Sequence, residues 1–342
     1  MRETLSKLAR GADLTDGEAE AAMRAIMAGE ASPAQIGAFL MGLRLKGETV
    51  DEILGCARAM RAFATPVVSR HPLLVDTCGT GGDGAGTFNI STTAALVVAG
   101  AGLPVAKHGN RAASSRTGSA DVLEALGVRI DLTPEDVGHC LDEVGIGFLF
   151  AVRHHGAMRH AAGPRGEMGF RTVFNLLGPL CNPAGAQVQV VGVPEARLVG
   201  PIAQVLRRLG SRRALVVHGS DGLDEFTVSG PSLVADTADS GEPTPQTVRP
   251  EDAGVATAPR ESLRGGTPAE NAAITLSVLA GAAGPQRDVV CLNAAAALFA
   301  AGVAADLAAG VELARRSIDS GAARQRLDAL RALSQHLAGA AG

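Results

Sequence analysis

The chain has 342 residues, and 31 Lys plus Arg against 35 Asp plus Glu leave a net charge of −4. No Trp, no Tyr and only nine Phe are present, which excludes an aromatic platform for single strands, and weak acidity argues against generic binding to nucleic acid or anionic membranes. With 46% hydrophobic and 19% charged residues, a substantial core is expected, in one large or two modest domains.

The first sixty or so residues read as helices. Thr15-Asp16-Gly17-Glu18 and Thr49-Val50-Asp51-Glu52 carry the capping-box pattern, in which a hydroxyl and a glutamate each satisfy a free backbone N–H. Ser32-Pro33 supplies an N-cap and a first-turn proline. Ile36, Phe39, Leu40 and Leu43 then recur at helical spacing. Residues 64–72 hold two prolines and read as a linker.

From Leu73 onward, short β-branched runs alternate with helical patterns. Strands are expected at 73–76, 104–106, 128–130, 146–150, 187–193 and 214–217. Helices are expected from near Ser91 and from Ser119 to Leu126, the latter stopped by Gly127. Such alternation predicts an α/β fold with a mostly parallel central sheet flanked by helices. Residues 235–268 read as surface loops or short strands, and the chain from Glu270 as Ala-rich helices.

The longest apolar stretches, 94–106 and 294–305, fall short of the ~20 residues a spanning helix needs. No apolar block follows Met1-Arg2-Glu3, so no secretory signal is expected. Cys56, Cys78, Cys140, Cys181 and Cys291 are scattered without a C-x-x-C pair, which argues against a disulfide framework or structural zinc. A soluble cytoplasmic protein is the expectation.

The densest chemical signal runs from Asp76 to Thr92, with five glycines at 79, 81, 82, 84 and 86 between a strand and a helix. Bare glycine backbone lets several N–H groups converge, and the helix N-terminus adds positive potential, so a phosphate is the natural guest. Gly79-x-Gly81-x-x-Gly84 fits the dinucleotide spacing, but the next strand ends in basic Ala106-Lys107-His108 where a ribose-binding acid is wanted. No Gly-Lys-Ser/Thr closes a Walker loop either.

Lys107 to Ser119 forms a second signal, with Lys107, Arg111 and Arg116, His108, and several hydroxyls after a buried strand. Ligands in open α/β sheets bind beyond the carboxyl ends of strands, so both loops should line one crevice. Gly219 to Glu225 follows a third strand, and its adjacent carboxylates facing phosphate loops suggest magnesium. Arg153-His154-His155, Arg159-His160, Arg165 and Arg171 form a row of cations able to receive a carboxylate substrate. No nucleophile elbow or Cys-His constellation is present, so positioning and charge stabilisation are expected rather than covalent catalysis.

Gly79-Thr80-Gly81-Gly82-Asp83 with Asn89-Ile90-Ser91-Thr92, then Lys107-His108-Gly109-Asn110-Arg111, then Gly222-Leu223-Asp224-Glu225 closely resemble the motif set of the anthranilate phosphoribosyltransferase family. Arg171 to Leu180, Asn182-Pro183, and Gly265-Gly266 through Glu270-Asn271-Ala272 match it too, so the resemblance spans essentially the whole chain. It implies a homodimer joined through a small N-terminal α-helical domain, residues 1–68 with part of 160–180. A larger α/β domain, 69–342, would bind phosphoribosyl pyrophosphate at the cleft between the two. The implied reaction is transfer of the phosphoribosyl group to the amine of anthranilate with Mg2+, a step of tryptophan biosynthesis.

The resemblance implies that Gly79, Gly82, Asp83, Thr87, Asn89, Ile90, Ser91 and Thr92 hold phosphoribosyl pyrophosphate. Lys107, His108, Gly109, Asn110, Arg111, Ala112, Ala113, Ser114, Ser115 and Ser119 would complete that set. Ser91, Asp224 and Glu225 would ligate magnesium, while Arg165 would meet the anthranilate carboxylate, with Gly79 and Asn110 bordering the ring. Lys107 would stabilise departing pyrophosphate, and no general base is assigned. Gly156 stands where the family commonly has proline, and Ala162-Gly163-Pro164-Arg165 replaces a more usual Val-Gly-Pro-Thr-Arg. Competing readings are a pyrimidine-nucleoside phosphorylase-like enzyme and a non-catalytic nucleic-acid-binding relative.

Overall fold

A computed structural model describes residues 1–112, 116–238 and 241–340, so Ala113, Ser114 and Ser115 lie outside the described residues. Four helices lead: α1 (Arg2–Leu8), α2 (Asp16–Met27), α3 (Pro33–Lys46) and α4 (Val50–Ala62). Thr15, Ser32 and Thr49 each accept from the backbone N–H of their third helical residue, and all three capping boxes close. The linker at 64–72 is irregular and is tied down by Thr65 N–H to the His154 carbonyl and Val67 N–H to that of Pro183.

The α/β part follows as β1 (Val75–Gly79), α5 (Ile90–Gly100), β2 (Val105–Gly109), α6 (Ser119–Ala125), α7 (Pro134–Val144) and β3 (Ile146–Phe150). Next come α8 (Ala151–His154), α9 (Arg159–Met168), α10 (Phe174–Leu177), β4 (Val188–Gly192), α11 (Val199–Arg208) and β5 (Arg213–Gly219). The chain continues with β6 (Ser232–Asp236), β7 (Gln246–Val248), α12 (Pro268–Leu279), α13 (Pro285–Ala300), α14 (Leu307–Asp319) and α15 (Ala322–Ala340).

The strands form one sheet in the order β3-β2-β1-β4-β5-β6-β7. The first five are mutually parallel, and β6 and β7 pair antiparallel at one edge, so the mostly parallel sheet is as expected. Both faces are covered, and central strands such as β4 are buried along their length, hence their unbroken apolar runs. One face packs on α5 and α13 through residues such as Leu96, Val190 and Leu292. The other carries α11, and its apolar layer continues without a break into the N-terminal helices, joining Val191 and Ile202 to Phe39, Leu54 and Met23. Ala161 of α9 and Phe174 of α10 belong to this same layer.

Two expectations need correction. Residues 128–130 are not a strand. Val128 and Ile130 are buried as a strand would have them, but the Arg129 amide donates to the Ser334 hydroxyl of α15 rather than to a neighbouring strand. Lys107, His108 and Gly109 belong to β2 itself, because the parallel register runs to Gly109↔Phe150, so the polar loop begins only at Asn110.

Candidate active site

The loop from β1 to α5 is shaped by Gly81, Gly82, Gly84 and Gly86, whose φ values of 63, 84, 63 and 65° lie where L side chains are strained. Its far end is pinned by Gly265 N–H to the Gly86 carbonyl at 2.9 Å and Phe88 N–H to that of Leu263 at 3.1 Å. Asp83 accepts from the Ala85 amide at 3.2 Å and Thr87 bridges to Arg264, so both are held within the loop rather than beside it. At the start of α5, Ile90 points into the core and Thr92 is buried, while the Ser91 amide meets Glu225.

Beside this loop, β2 presents a buried Lys107 whose Nζ donates to the Thr77 carbonyl at 2.6 Å. His108 faces the wall, its Nδ1 against the Gly178 carbonyl at 3.1 Å and its ring 5.2 Å from that of His155. Asn110 caps the Arg111 amide at 2.8 Å, and Ser119 Oγ donates to the Asn110 carbonyl at 3.2 Å. The Asn89 amide group donates to the Thr117 carbonyl at 3.2 Å and its oxygen receives Asn271 Nδ2 at 2.9 Å.

Asp224 and Glu225 come from the turn after β5, drawn back by Gly219 N–H to the Leu223 carbonyl at 2.8 Å. Asp224 Oδ2 accepts from Gly81 N–H at 2.7 Å, and Glu225 Oε1 accepts from Ser91 N–H at 3.1 Å. Two segments far apart in sequence, the β1–α5 loop and the turn after β5, are thereby joined twice. Desolvation raises the Asp224 carboxyl above the usual range, helped by Asp83, and desolvation with the Asp224 charge does the same to Glu225. A site that crowds acids in this way has affinity for compensating positive charge.

These groups line a single crevice of about 890 Å3, large enough for an extended polar ligand. Every residue expected at the site borders it except Ala113, Ser114 and Ser115, which lie outside the described residues. Gly82, Lys107 and Glu225 therefore face common space. Arg165 reaches the crevice from α9, its guanidinium 4.9 Å over the Phe174 ring. The helix runs through Pro164 without breaking, so the altered sequence before Arg165 still delivers it. Gly156 simply opens a short 3-10 turn, Gly156–Met158.

Of the rest of the cationic row, Arg171 also borders the crevice, whereas Arg153, His154, His155, Arg159 and His160 do not. His154 and His155 are buried away from the crevice, His154 Nδ1 lies 3.3 Å from the Thr65 carbonyl, and Arg153 is exposed.

The helical bundle domain model of the glycosyl transferase family matches residues 2–64, and that family's a/b domain model matches residues 71–324. Anthranilate phosphoribosyltransferase of Symbiobacterium thermophilum is 60% identical over 98% of both chains, and that of Moorella thermoacetica is 60% identical over 96% of this chain and 97% of its own. The chain belongs to the anthranilate phosphoribosyltransferase family. Among solved structures, the Thermus thermophilus anthranilate phosphoribosyltransferase superposes with a TM-score of 0.92 at 48% identity, covering 97% of this chain and 99% of that one. The Saccharomyces cerevisiae enzyme, solved in complex with PRPP and Mg, superposes with a TM-score of 0.90 at 26% identity, covering 98% and 97%.

Within the anthranilate phosphoribosyltransferase framework, the crevice also contains groups to which the resemblance gave no role. Arg171 is the foremost: its Nη2 donates to the Thr80 carbonyl at 3.2 Å and its guanidinium lies against Gly82. Its position at the head of the Arg171–Leu180 motif was the available signal, but only the fold shows that this segment crosses the glycine loop. Arg116, Thr117 and Gly266 line the same space, with Thr117 Oγ1 donating to the Gly266 carbonyl at 2.8 Å.

Proposed function

We propose that this protein transfers the phosphoribosyl group of phosphoribosyl pyrophosphate to the amine of anthranilate, giving N-phosphoribosylanthranilate and pyrophosphate. The observation that carries this reading is the meeting of glycine-loop amides, a buried lysine and paired acids in one crevice. The loop at 79–92 with Lys107 to Ser119 holds the sugar phosphates. Arg165 receives the anthranilate carboxylate, with Gly79 and Asn110 beside the ring.

The donor set fits magnesium. Asp224, Glu225 and the Ser91 hydroxyl are hard oxygen ligands, and the crowding of acids rewards a cation. Magnesium takes hard oxygen ligands and commonly shares its sites with phosphate oxygens and water. When bound, the ion offsets the negative charge of pyrophosphate.

The chain's own work is orientation and fixed charge. The bond from the anomeric carbon to the pyrophosphate oxygen breaks as the bond to the amine nitrogen forms, and the amine then sheds a proton. Lys107 and Arg171 oppose the charge gathering on the leaving group. An aromatic amine is neutral at pH 7, so no strong general base is required.

We also assign residues 1–68 with part of 160–180 to a helical domain and the rest of 69–342 to the phosphoribosyl-binding domain, in a cytoplasmic homodimer. Met41 and Leu45 support the dimer, since they lie one turn apart on α3 and are exposed, Leu45 at 79%. No described helix is long and apolar enough to cross a membrane.

The test is loss of anthranilate fluorescence with purified protein. Consumption that requires both phosphoribosyl pyrophosphate and magnesium supports the reading. Consumption of a pyrimidine nucleoside and phosphate instead would favour the phosphorylase-like alternative.

A further inference from the structure

Asp121 stands in the first turn of α6, outside every motif used above, and one carboxylate closes the neck of the phosphate loop. Its Oδ2 accepts from Gly118 N–H at 2.8 Å and from Ala112 N–H at 3.1 Å. Gly118 immediately precedes α6, and Ala112 lies three residues beyond the end of β2. Its Oδ1 accepts from Arg111 Nη1 at 2.9 Å. Arg111 is further held by Glu124, Nη2 to Oε1 at 2.9 Å, and lies 5.8 Å from the Phe150 ring centroid.

The neck is narrow. A Cβ on Gly118 would collide with Asn110 O and Arg111 C, each 2.6 Å away, so the returning chain rests on the departing one. Burial alone would raise the Asp121 carboxyl, yet the Gly118 and Ala112 amides and Arg111 outweigh it and hold the group below the usual carboxylate range. An anion is thus kept within a region assigned to a polyanionic ligand, where it would repel that ligand if it were not consumed by these three donors.

We propose that Asp121 is a positioning residue for phosphoribosyl pyrophosphate: it holds the Ala112 and Gly118 amides together and aims Arg111, without touching substrate. The inference rests on the assignment of this loop to the phosphoribosyl pyrophosphate site. The two kinds of tie separate chemically. Asn at 121 can still accept both backbone amides on one oxygen but turns an N–H group toward Arg111, so it severs only the guanidinium. Ala severs all three.

Steady-state kinetics of Asp121→Asn and Asp121→Ala, with thermal melting of each variant, test this. The expected result is a KM for phosphoribosyl pyrophosphate raised about threefold in Asp121→Asn and about tenfold or more in Asp121→Ala, one lost tie against three. At saturating phosphoribosyl pyrophosphate, kcat and the KM for anthranilate should stay within about twofold. A lowered melting temperature with unchanged KM for phosphoribosyl pyrophosphate in both variants would reduce Asp121 to a fold-stabilising residue and overturn the proposal. So would an equal fall in kcat and rise in both KM values. Should Asp121→Ala not fold, the Asn variant decides alone. Wild-type protein that fails to consume anthranilate would instead sink the functional reading itself, so the two failures are distinct.

Discussion

Asp224 Oδ2 accepts a hydrogen bond from the Gly81 amide at 2.7 Å, across 143 residues of chain. That contact joins the acidic turn after β5 to the glycine loop after β1, and Glu225 repeats the join at Ser91. The sheet order explains it. β4 lies between β1 and β5, and Gly192 at its end has no side chain, so the Asp224 backbone passes directly over it.

Neutralising Asp224 should separate stability from activity. Asp224→Asn keeps the shape and the Gly81 bond but removes one charge from a cluster with Asp83 and Glu225. Without ligands, the variant is expected to melt higher by about 2 °C or more. Turnover should fall roughly a hundredfold, because the fixed charge for the metal and pyrophosphate is lost. A variant that is both destabilised and fully active would contradict the assignment.

Gly82 and Gly84 offer an internal comparison. Both have φ in the left-handed region, 84 and 63°, but a Cβ at Gly82 would strike the Arg171 guanidinium while one at Gly84 meets open space. Gly84→Ala should cost roughly 1–2 kcal/mol from backbone strain alone. Gly82→Ala should add displacement of Arg171 and raise the KM for phosphoribosyl pyrophosphate about tenfold beyond the Gly84 variant. Equal kinetics for the two would remove Arg171 from the site.

The N-terminal bundle has its own polar keystone. Glu52 is fully buried and accepts from the Leu14 amide at 2.9 Å, the Thr49 amide at 2.8 Å and Lys46 Nζ at 2.9 Å. Glu52→Ala leaves these donors unmatched and should cost about 3 kcal/mol or more. The urea midpoint should fall accordingly, with kcat little changed at low denaturant, because the residue is remote from the crevice.

Acid stability should carry the mark of His155. Burial pushes its imidazolium down to about 4 from an ordinary 6.5, with the neighbouring His154 charge adding to the effect. Between those values the unfolded chain binds the proton and the folded one does not, so stability falls as pH drops through the window. The difference is worth roughly 3 kcal/mol for this group. Replacing it in His155→Phe should flatten the fall in unfolding free energy between about pH 6.5 and 4. An unchanged slope would mean that the ring ionises freely in the folded state.

Local chemistry in the sequence was enough for the capping boxes at Thr15 and Thr49, for the N-cap at Ser32, for the parallel α/β alternation, and for the glycine-rich turn between β1 and α5. Each depends on neighbours within a few positions: a hydroxyl reaching three residues ahead, a run of β-branched side chains, or glycines that free φ. Tertiary structure alone decided what those local signals could not carry. Residues 128–130 have the burial pattern of a strand, yet Ser334 of the C-terminal helix takes the amide that a strand would have paired. Of one cationic row, Arg165 and Arg171 border the crevice while His154 and His155 do not, because side-chain destination depends on which segments cross in space. Hydrogen bonds spanning a hundred residues or more leave no periodic trace in the chain that makes them.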